Sequence, residues 1–462
     1  MSLNFAGKNI LIAGGGVTGS SVAKALSARG SMVVIVDDNP RVTSEYRVIA
    51  PNLVVMTDYS AIVVSPGWKA SHPIIVGAMA SGIEIWNEID IAWSIAREIA
   101  PHQKWLALTG TNGKTTTVEM AAAMLQSAGM KAIACGNVGD TVIDAVTSDD
   151  PFDYLILELS SFQLHWMSQA HFLSVAILNL ADDHVDWHGS FDDYCNAKLS
   201  ILARADIAIL NGDDFEVTTR TQSWHGRKIF FSLNTPAPGE LGVVENLLID
   251  RAFVLDPQEA SMIAQINDIQ PTLPHSVANA LAAAALARSV GVTYKDIQNA
   301  LINFHPKRHR IETVLQADGV TWINDSKATN PHAAAASIMS HLSVIWIAGG
   351  LAKGAEMSKL VQRSQARISA VILIGTDRDL IEAALLQFAP DIPVIKIDSE
   401  YKKGDASNDL MEKVVEAAKI LAKPGDTVLM APACASMDQF NSYSDRGDRF
   451  AAAVKKLVKN EN

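Results

Sequence analysis

Short apolar runs rich in valine and isoleucine recur along the chain, separated by stretches of helical spacing, the pattern of parallel strands joined by crossover helices. In a first block, from about Lys8 to Arg97, the pattern predicts a strand at Asn9–Ala13, a helix from about Val17 and a strand at Met32–Asp37. Further apolar runs follow at Leu53–Met56 and Ala61–Ser65, and Pro101, His102 and Gln103 read as a linker. A second block opens with a strand at Trp105–Thr109, continues through strands at Tyr154–Glu158, Val175–Asn179 and Ile207–Leu210, and ends near Asn303–Lys307. Within it, Leu281–Ala287 is alanine-rich at a spacing that suits a buried helix. A third block has strands near Val320–Asn324, Val344–Ala348, Ala370–Ile374 and Thr427–Met430. No charge occurs from Ala328 to Ala352, but Asn330, Pro331, His332 and Ser337 interrupt that segment, which predicts a helix and a buried strand rather than a membrane span.

The length of 462 residues fits about three domains, so the pattern is α/β three times over. Hydrophobic residues are 48% and charged residues 19%, the balance of a packed globular chain. Lys plus Arg is 38 and Asp plus Glu 50, a formal charge of −12, which argues against nucleic acid or an anionic membrane as partner while leaving room for local basic pockets. Cys135, Cys195 and Cys434 are far apart and form no C-x-x-C pair, which indicates neither a disulfide framework nor a zinc site and suits a reducing cytoplasm. The N-terminus carries no secretory pattern.

Two glycine-rich loops carry the chemistry. Gly14, Gly16 and Gly19 form G-x-G-x-x-G between a strand and a helix, with Asp37 and Asp38 closing the next strand; such glycines let backbone N–H groups approach a pyrophosphate, and the acid can accept from a hydroxyl. Any nucleotide diphosphate satisfies this loop. The second loop, Thr109-Gly110-Thr111-Asn112-Gly113-Lys114-Thr115-Thr116, offers N–H groups, a lysine and a hydroxyl to β/γ-phosphates and Mg²⁺, in a shortened variant with Leu108 where the usual spacing has glycine. Two such loops weaken a simple dehydrogenase reading, since one nucleotide can be cofactor and the other substrate.

Glu158 and the group Asp182, Asp183, His184 and Asp186 fall where second-block strands end, the usual place for ligands in open α/β sheets, so Glu158 and His184 are candidate metal ligands. Taken alone, His184 equally suits a satisfied structural histidine, and Lys198 reads as a solvated helix lysine. Lys307, Arg308 and Arg310 mark a cationic junction before the polar loop Asn324-Asp325-Ser326-Lys327-Ala328-Thr329-Asn330.

Together these segments resemble the Mur ligase family over essentially the whole chain. Gly110–Thr116 is shared across that superfamily, folylpolyglutamate synthases included. Leu157-Glu158-Leu159-Ser160-Ser161-Phe162-Gln163-Leu164, the Asn324–Asn330 loop and Ala431-Pro432-Ala433-Cys434-Ala435-Ser436-Met437-Asp438-Gln439-Phe440 resemble the D-glutamate-adding branch. The resemblance implies a Rossmann-like UDP-binding domain at 1–98, a central P-loop ATPase-type domain at 99–306 and a Rossmann-like amino-acid-binding domain at 307–462. It implies a cytoplasmic, monomeric ligase in peptidoglycan precursor synthesis. ATP would phosphorylate the alanyl carboxylate of UDP-N-acetylmuramoyl-L-alanine, and D-glutamate would displace the phosphate.

Carried over position by position, Lys114 would hold the β/γ-phosphates, in the loop of Gly110, Thr111, Asn112, Gly113, Thr115 and Thr116. Thr115 and Glu158 would ligate a first Mg²⁺ and His184 a second, with Lys198 carbamylated beside them. Asn279, Arg310 and Asp325 would contact ATP, and Asn137 with Ser160 the muramoyl part. Lys327, Thr329, Lys353, Ser436, Met437 and Tyr443 would line the glutamate site; Gly16, Val17, Thr18, Asp37 and Asp38 would take the uridine diphosphate. Asn39 stands where relatives can carry a basic residue, with Arg41 nearby. Ser276 follows His275 where asparagine is common, and Trp187 with His188 replaces a more usual arginine. The rival readings are a folylpolyglutamate synthase, which the N-terminal nucleotide-type block and the Ser436 segment disfavour; a nicotinamide-dependent oxidoreductase, which leaves the Lys114 loop unexplained; and a non-catalytic nucleotide sensor.

Overall fold

The computed structural model describes residues 3–39, 41–256, 258–398 and 409–458. Three sheets carry the chain. The first is wholly parallel: β1 (Asn9–Ala13), β2 (Met32–Val36), β3 (Val48–Ile49), β4 (Ala61–Val64) and β5 (Glu84–Trp86), in the order β3-β2-β1-β4-β5. The central sheet has nine strands: β6 (Lys104–Thr109), β7 (Ala132–Gly136), β8 (Tyr154–Glu158), β9 (Phe172–Ile177), β10 (Ala205–Asn211), β11 (Arg227–Phe231), β12 (Glu240–Val244), β13 (Leu247–Asp250) and β14 (Ser261–Gln265). Their order is β14-β13-β12-β11-β10-β9-β6-β8-β7. The third sheet, β15 (Glu312–Ala317), β16 (Val320–Asn324), β17 (Val344–Gly349), β18 (Ile368–Ile374), β19 (Val394–Lys396) and β20 (Thr427–Met430), has the order β15-β16-β20-β17-β18-β19.

The expected α/β class holds. The apolar run at Leu53–Met56 does not form a strand: single 3₁₀ turns occupy Pro51–Leu53 and Met56–Asp58, and Leu53 and Val55 are exposed. Pro51 fixes its own φ and has no N–H for a ladder, which ends pairing after the short β3. The antiparallel extension β12-β13-β14 is absent from the sequence reading, because its first hairpin turns on Glu245 at φ +54° without the glycine that announces such turns. The uncharged segment from Ala328 resolves into helix Pro331–Met339 and the fully buried β17. Among the described residues, no helix is long and apolar enough to cross a membrane.

The chain divides into two compact units. One comprises the described residues of Met1–Leu180, Asp192–Thr272 and Ser276–Phe304 and holds the first two sheets. Its large core includes helix Pro274–Ser289 from Val277 on, where every residue from Leu281 to Ala287 is wholly buried. The first and central sheets are tied through the start of helix Glu88–Ile99. There the buried Asp90 carboxylate accepts from Ser168 N and Oγ, Gln169 N and Ala170 N at 2.7–2.9 Å, and Asn87 Nδ2 donates to Trp166 O at 2.7 Å. The other unit comprises the described residues of Ala181–Phe191, Leu273–His275 and His305–Asn462. Its sheet is buried on both faces. Ile323, Trp346 and Leu429 enter one core while their neighbours Trp322, Ile345, Ile347 and Val428 enter the other, the two-residue alternation of a strand covered on both sides.

Candidate active site

The phosphate-type loop leaves the carboxyl end of β6, flanked by β8 and β9, and runs into helix Lys114–Ser127. Gly113 precedes that helix at φ +83°, and a Cβ there would lie 2.4 Å from Asn279 Oδ1. Two residues beyond the loop hold its shape. Asn179 Oδ1 accepts from Asn112 N at 2.7 Å while Asn179 Nδ2 donates to Asn112 O at 3.0 Å, and Thr111 Oγ1 shares a 2.9 Å hydrogen bond with the buried Tyr194 hydroxyl. Lys114 Nζ donates to Gly110 O and Thr111 O. Lys198, read from sequence as a solvated helix lysine when taken alone, is 2% exposed. Helix Phe191–Leu199 turns it inward, so that Nζ donates to Gly110 O at 2.9 Å and lies 4.7 Å from the Tyr194 ring centroid.

Glu158 ends β8 and is 2% exposed. Its Oε1 accepts from Asn137 Nδ2 at 2.9 Å, its carbonyl accepts from Asn137 N, and its Oε2 is buried without a hydrogen-bond partner. A buried carboxylate oxygen left unpartnered is costly, and a hard cation is the kind of ligand that satisfies it. Among the described residues no group of three or more His, Cys, Asp or Glu could hold a metal, so phosphate and water oxygens would have to complete any coordination around Glu158. Ser160, two residues on, caps helix Ser161–Trp166 in a reciprocal capping box with Gln163.

In the first sheet the glycine loop sits at the carboxyl end of β1, where strand order reverses. Gly14 has φ +102°, and a Cβ on Gly19 would come within 1.9 Å of Gly14 O. The Asp37 carboxylate accepts from Gly15 N at 2.7 Å and Asn39 N at 2.8 Å, so it braces the loop itself. Asp38 pairs with His72 at 3.2 Å; His72 Nδ1 accepts from Ile74 N, which leaves Nε2 as the donor. Gly16 and Val17 are exposed at the start of helix Val17–Ser27, with Thr18 partly exposed.

The second unit collects the remaining candidates at the carboxyl ends of β16, β17 and β20. Asp325 is buried, donates its N–H to Met430 O and accepts from Ile311 N at 3.3 Å; burial pushes its carboxyl up to about 6, against the pull of Arg310. Lys327 Nζ lies 3.9 Å from the Tyr443 ring centroid, and although burial raises the Tyr443 phenol, the Lys327 and Arg310 charges bring it below its ordinary value. Ser436 is buried in a loop that pairs Ala435 with Leu351, while Lys353, at φ +51°, and Met437 are exposed. Thr329 is partly exposed beside the helix-capping Asn330. His184 falls in this unit, at φ +52°, with its N–H on Asp183 Oδ1 at 3.0 Å.

The first unit thus gathers Lys114, Thr115, Glu158, Asn137, Ser160, Lys198 and Asn279 around the ends of β6 and β8, with the glycine loop and Asp37–Asp38 on the neighbouring sheet. Sequence reasoning missed Asn179, Tyr194, Asp90 and Arg446, whose work is to hold other residues. An asparagine at a strand end and a tyrosine one helical turn before Lys198 were the only local signals.

The chain belongs to the Mur ligase family. The Mur ligase middle domain matches residues 108–287 and the Mur ligase glutamate ligase domain residues 309–434, while a TrkA-N domain matches residues 10–63. Within the family its relatives include the UDP-N-acetylmuramoylalanine–D-glutamate ligases of Streptomyces coelicolor, 43% identical over 99% of this chain and 100% of that one, and of Thermobifida fusca, 43% identical over 98% and 99%. That of Mycobacterium avium is 40% identical over 98% of this chain and 97% of its own. Among solved structures, a pseudomurein peptide ligase type C from Methanothermus fervidus superposes with a TM-score of 0.61 at 18% identity, covering 97% of this chain and 100% of that one. MurF from Acinetobacter baumannii gives 0.60 at 17%, covering 98% and 91%. At these identities the structures speak for the fold.

Proposed function

We propose that the protein is an ATP-dependent ligase that adds D-glutamate to UDP-N-acetylmuramoyl-L-alanine in peptidoglycan precursor synthesis. The observation that carries this reading is the pair Lys114 and Lys198 on the loop after β6, with Glu158 at the end of the adjoining β8, in a chain that aligns over 99% of its length with a D-glutamate ligase. An oxidoreductase would leave that cluster without a task, a folylpolyglutamate synthase is not what the relatives are, and a nucleotide sensor would have no need of Glu158's orphaned oxygen.

In this reading the γ-phosphoryl group of ATP passes to the alanyl carboxylate, the amine of D-glutamate attacks the acyl phosphate, and the tetrahedral adduct expels phosphate. Such chemistry asks the protein for positioning and charge neutralisation rather than for a nucleophile. Lys114, now on loop carbonyls, turns to the β/γ-phosphates, and the N–H groups from Gly110 to Thr116 line the loop that receives them. Thr115 and Glu158 would hold Mg²⁺, and Lys198 would join them as a carbamate once its neutral amine had added CO₂ and lost a proton. The bound metal supplies charge neutralisation at the transferring phosphoryl group. Asn137 and Ser160 orient the muramoyl portion beside Glu158, and the glycine loop with Asp37 and Asp38 takes the uridine diphosphate. Lys327, Lys353 and Ser436 receive the glutamate carboxylates, bordered by Thr329, Met437 and Tyr443. We place the enzyme in the cytoplasm as a monomer without a nucleic-acid partner; three free, buried cysteines support the compartment and a charge of −12 the lack of nucleic acid.

The test is phosphate release from ATP. It should require UDP-N-acetylmuramoyl-L-alanine and D-glutamate together, with one acceptor oxygen appearing in the phosphate. Equal turnover with L-glutamate, or none with this pair, would overturn the reading.

A further inference from the structure

Arg446 is wholly buried in the first turns of helix Tyr443–Leu457, and among the described residues it forms no ion pair. A buried charge without a close ion-pair partner is expensive, and Asp438 favours it only from beyond ion-pair distance, so its bonds matter. Nε donates to Ser326 Oγ at 2.9 Å, one terminal nitrogen to Ser326 O at 3.0 Å and Cys434 O at 3.2 Å, and the other to Cys434 O at 3.2 Å and Gly349 O at 3.5 Å. Ser326 Oγ in turn donates to Tyr443 O at 2.7 Å. One guanidinium therefore joins the ends of the three adjacent strands β16, β17 and β20. Ser326 immediately precedes Lys327, Cys434 lies just before Ser436, and Gly349 opens the loop to Lys353. Glycine is required at that loop: a Cβ on Gly349 would lie 1.8 Å from Ile374 O and one on Gly350 2.1 Å from Ala435 O.

Building on the ligase reading above, we infer that Arg446 is a positioning and specificity-determining residue for the incoming amino acid. It keeps the Lys327 and Ser436 segments in mutual register and holds a positive charge behind their strand ends, which favours a dicarboxylic amino acid over its neutral amide. A lysine could retain the charge but not the planar fork that reaches three strand ends.

The experiment compares Arg446→Lys, Arg446→Gln and Ser326→Ala with the unaltered enzyme, measuring KM for each of the three substrates, kcat, and the ratio of kcat/KM for D-glutamate over D-glutamine. Arg446→Gln should raise the D-glutamate KM by about 30-fold and compress the glutamate-to-glutamine ratio by about tenfold, with the ATP KM and kcat within about threefold. Arg446→Lys should restore the ratio but only part of the KM, and Ser326→Ala should raise the D-glutamate KM about threefold. A uniform loss across all substrates, or an unchanged D-glutamate KM in a folded Arg446→Gln, would overturn the inference. If Arg446→Gln does not fold, an unchanged ratio in Arg446→Lys must be accompanied by the Ser326→Ala effect, and absence of that effect overturns it too. Failure of the unaltered enzyme to use D-glutamate at all would instead bring down the ligase reading.

Discussion

Lys114 Nζ and Lys198 Nζ donate to the same acceptor, the carbonyl oxygen of Gly110, at 2.8 and 2.9 Å. Two ammonium groups on one oxygen repel each other, and Lys198 is nearly inaccessible to solvent that would screen them. In the proposed reaction one lysine would move to a phosphate and the other would give up its positive charge as a carbamate. Lys198→Ala should lower substrate-dependent phosphate release by at least about 100-fold, with partial recovery on adding a small carboxylic acid. Removing CO₂ from the buffer should slow the unaltered enzyme and leave Lys198→Ala unchanged; indifference of the unaltered enzyme would remove the carbamate while sparing the ligase.

Glu158→Gln keeps the shape of the β8 terminus and exchanges an oxygen anion for an amide. Its Mg²⁺ requirement should rise about 10- to 100-fold in a titration of phosphate release. An unshifted Mg²⁺ midpoint would mean that the orphaned oxygen serves something other than a cation.

Gly113→Ala puts a side chain at φ +83° and within 2.4 Å of Asn279 Oδ1. The left-handed backbone alone costs about 1 kcal/mol, and the clash must displace Asn279 or the loop. The ATP KM should rise at least about tenfold, a shift of about 1.4 kcal/mol, read by nucleotide titration. Gly113→Ala combined with Asn279→Ala should recover part of the lost thermal stability, because only the backbone strain then persists.

Glu88 is buried, accepts from Ile143 N at 2.9 Å, and is pushed by burial up to about 7. Its ordinary carboxyl value is 4.5, so between these values the folded state holds the extra proton. Stability is therefore greatest at the acid end of that window, falls as pH rises toward 7 and is flat beyond, a swing of about 3 kcal/mol from this one group. Glu88→Gln, which imitates the protonated form, should flatten that slope in urea midpoints measured at pH 5, 6, 7 and 8. Parallel slopes in the two proteins would show that Glu88 does not titrate in this range.

Most strands and both glycine loops were legible because their signals are local: a valine-rich run bounded by glycine, and a loop with Lys114 at the junction of strand and helix. The Leu53–Met56 run, read only as apolar, stays out of the sheet because Pro51 denies it a ladder. The β12–β13 hairpin escaped because Glu245 adopts a conformation ordinarily left to glycine or asparagine. At the site, residues destined for ligands were visible by type, whereas those that hold them were not. Nothing around Tyr194 announces its bond to Thr111, and Arg446 reads as an ordinary charge on an amphipathic helix until Ser326, Gly349 and Cys434 arrive from elsewhere in the chain. Lys198 shows the same limit, since one turn of helix decides between water and core.

The Asp90 carboxylate, by gathering donors from Ser168, Gln169 and Ala170, ties together the two sheets that carry the glycine loop of β1 and the Gly110 loop of β6, both in one compact unit. The span between them then behaves as a caliper with its jaws locked. In the proposed reaction, a molecule gripped at its nucleotide end would present its acid at a set reach, and a backbone of the wrong length would be turned away by geometry before any chemistry began.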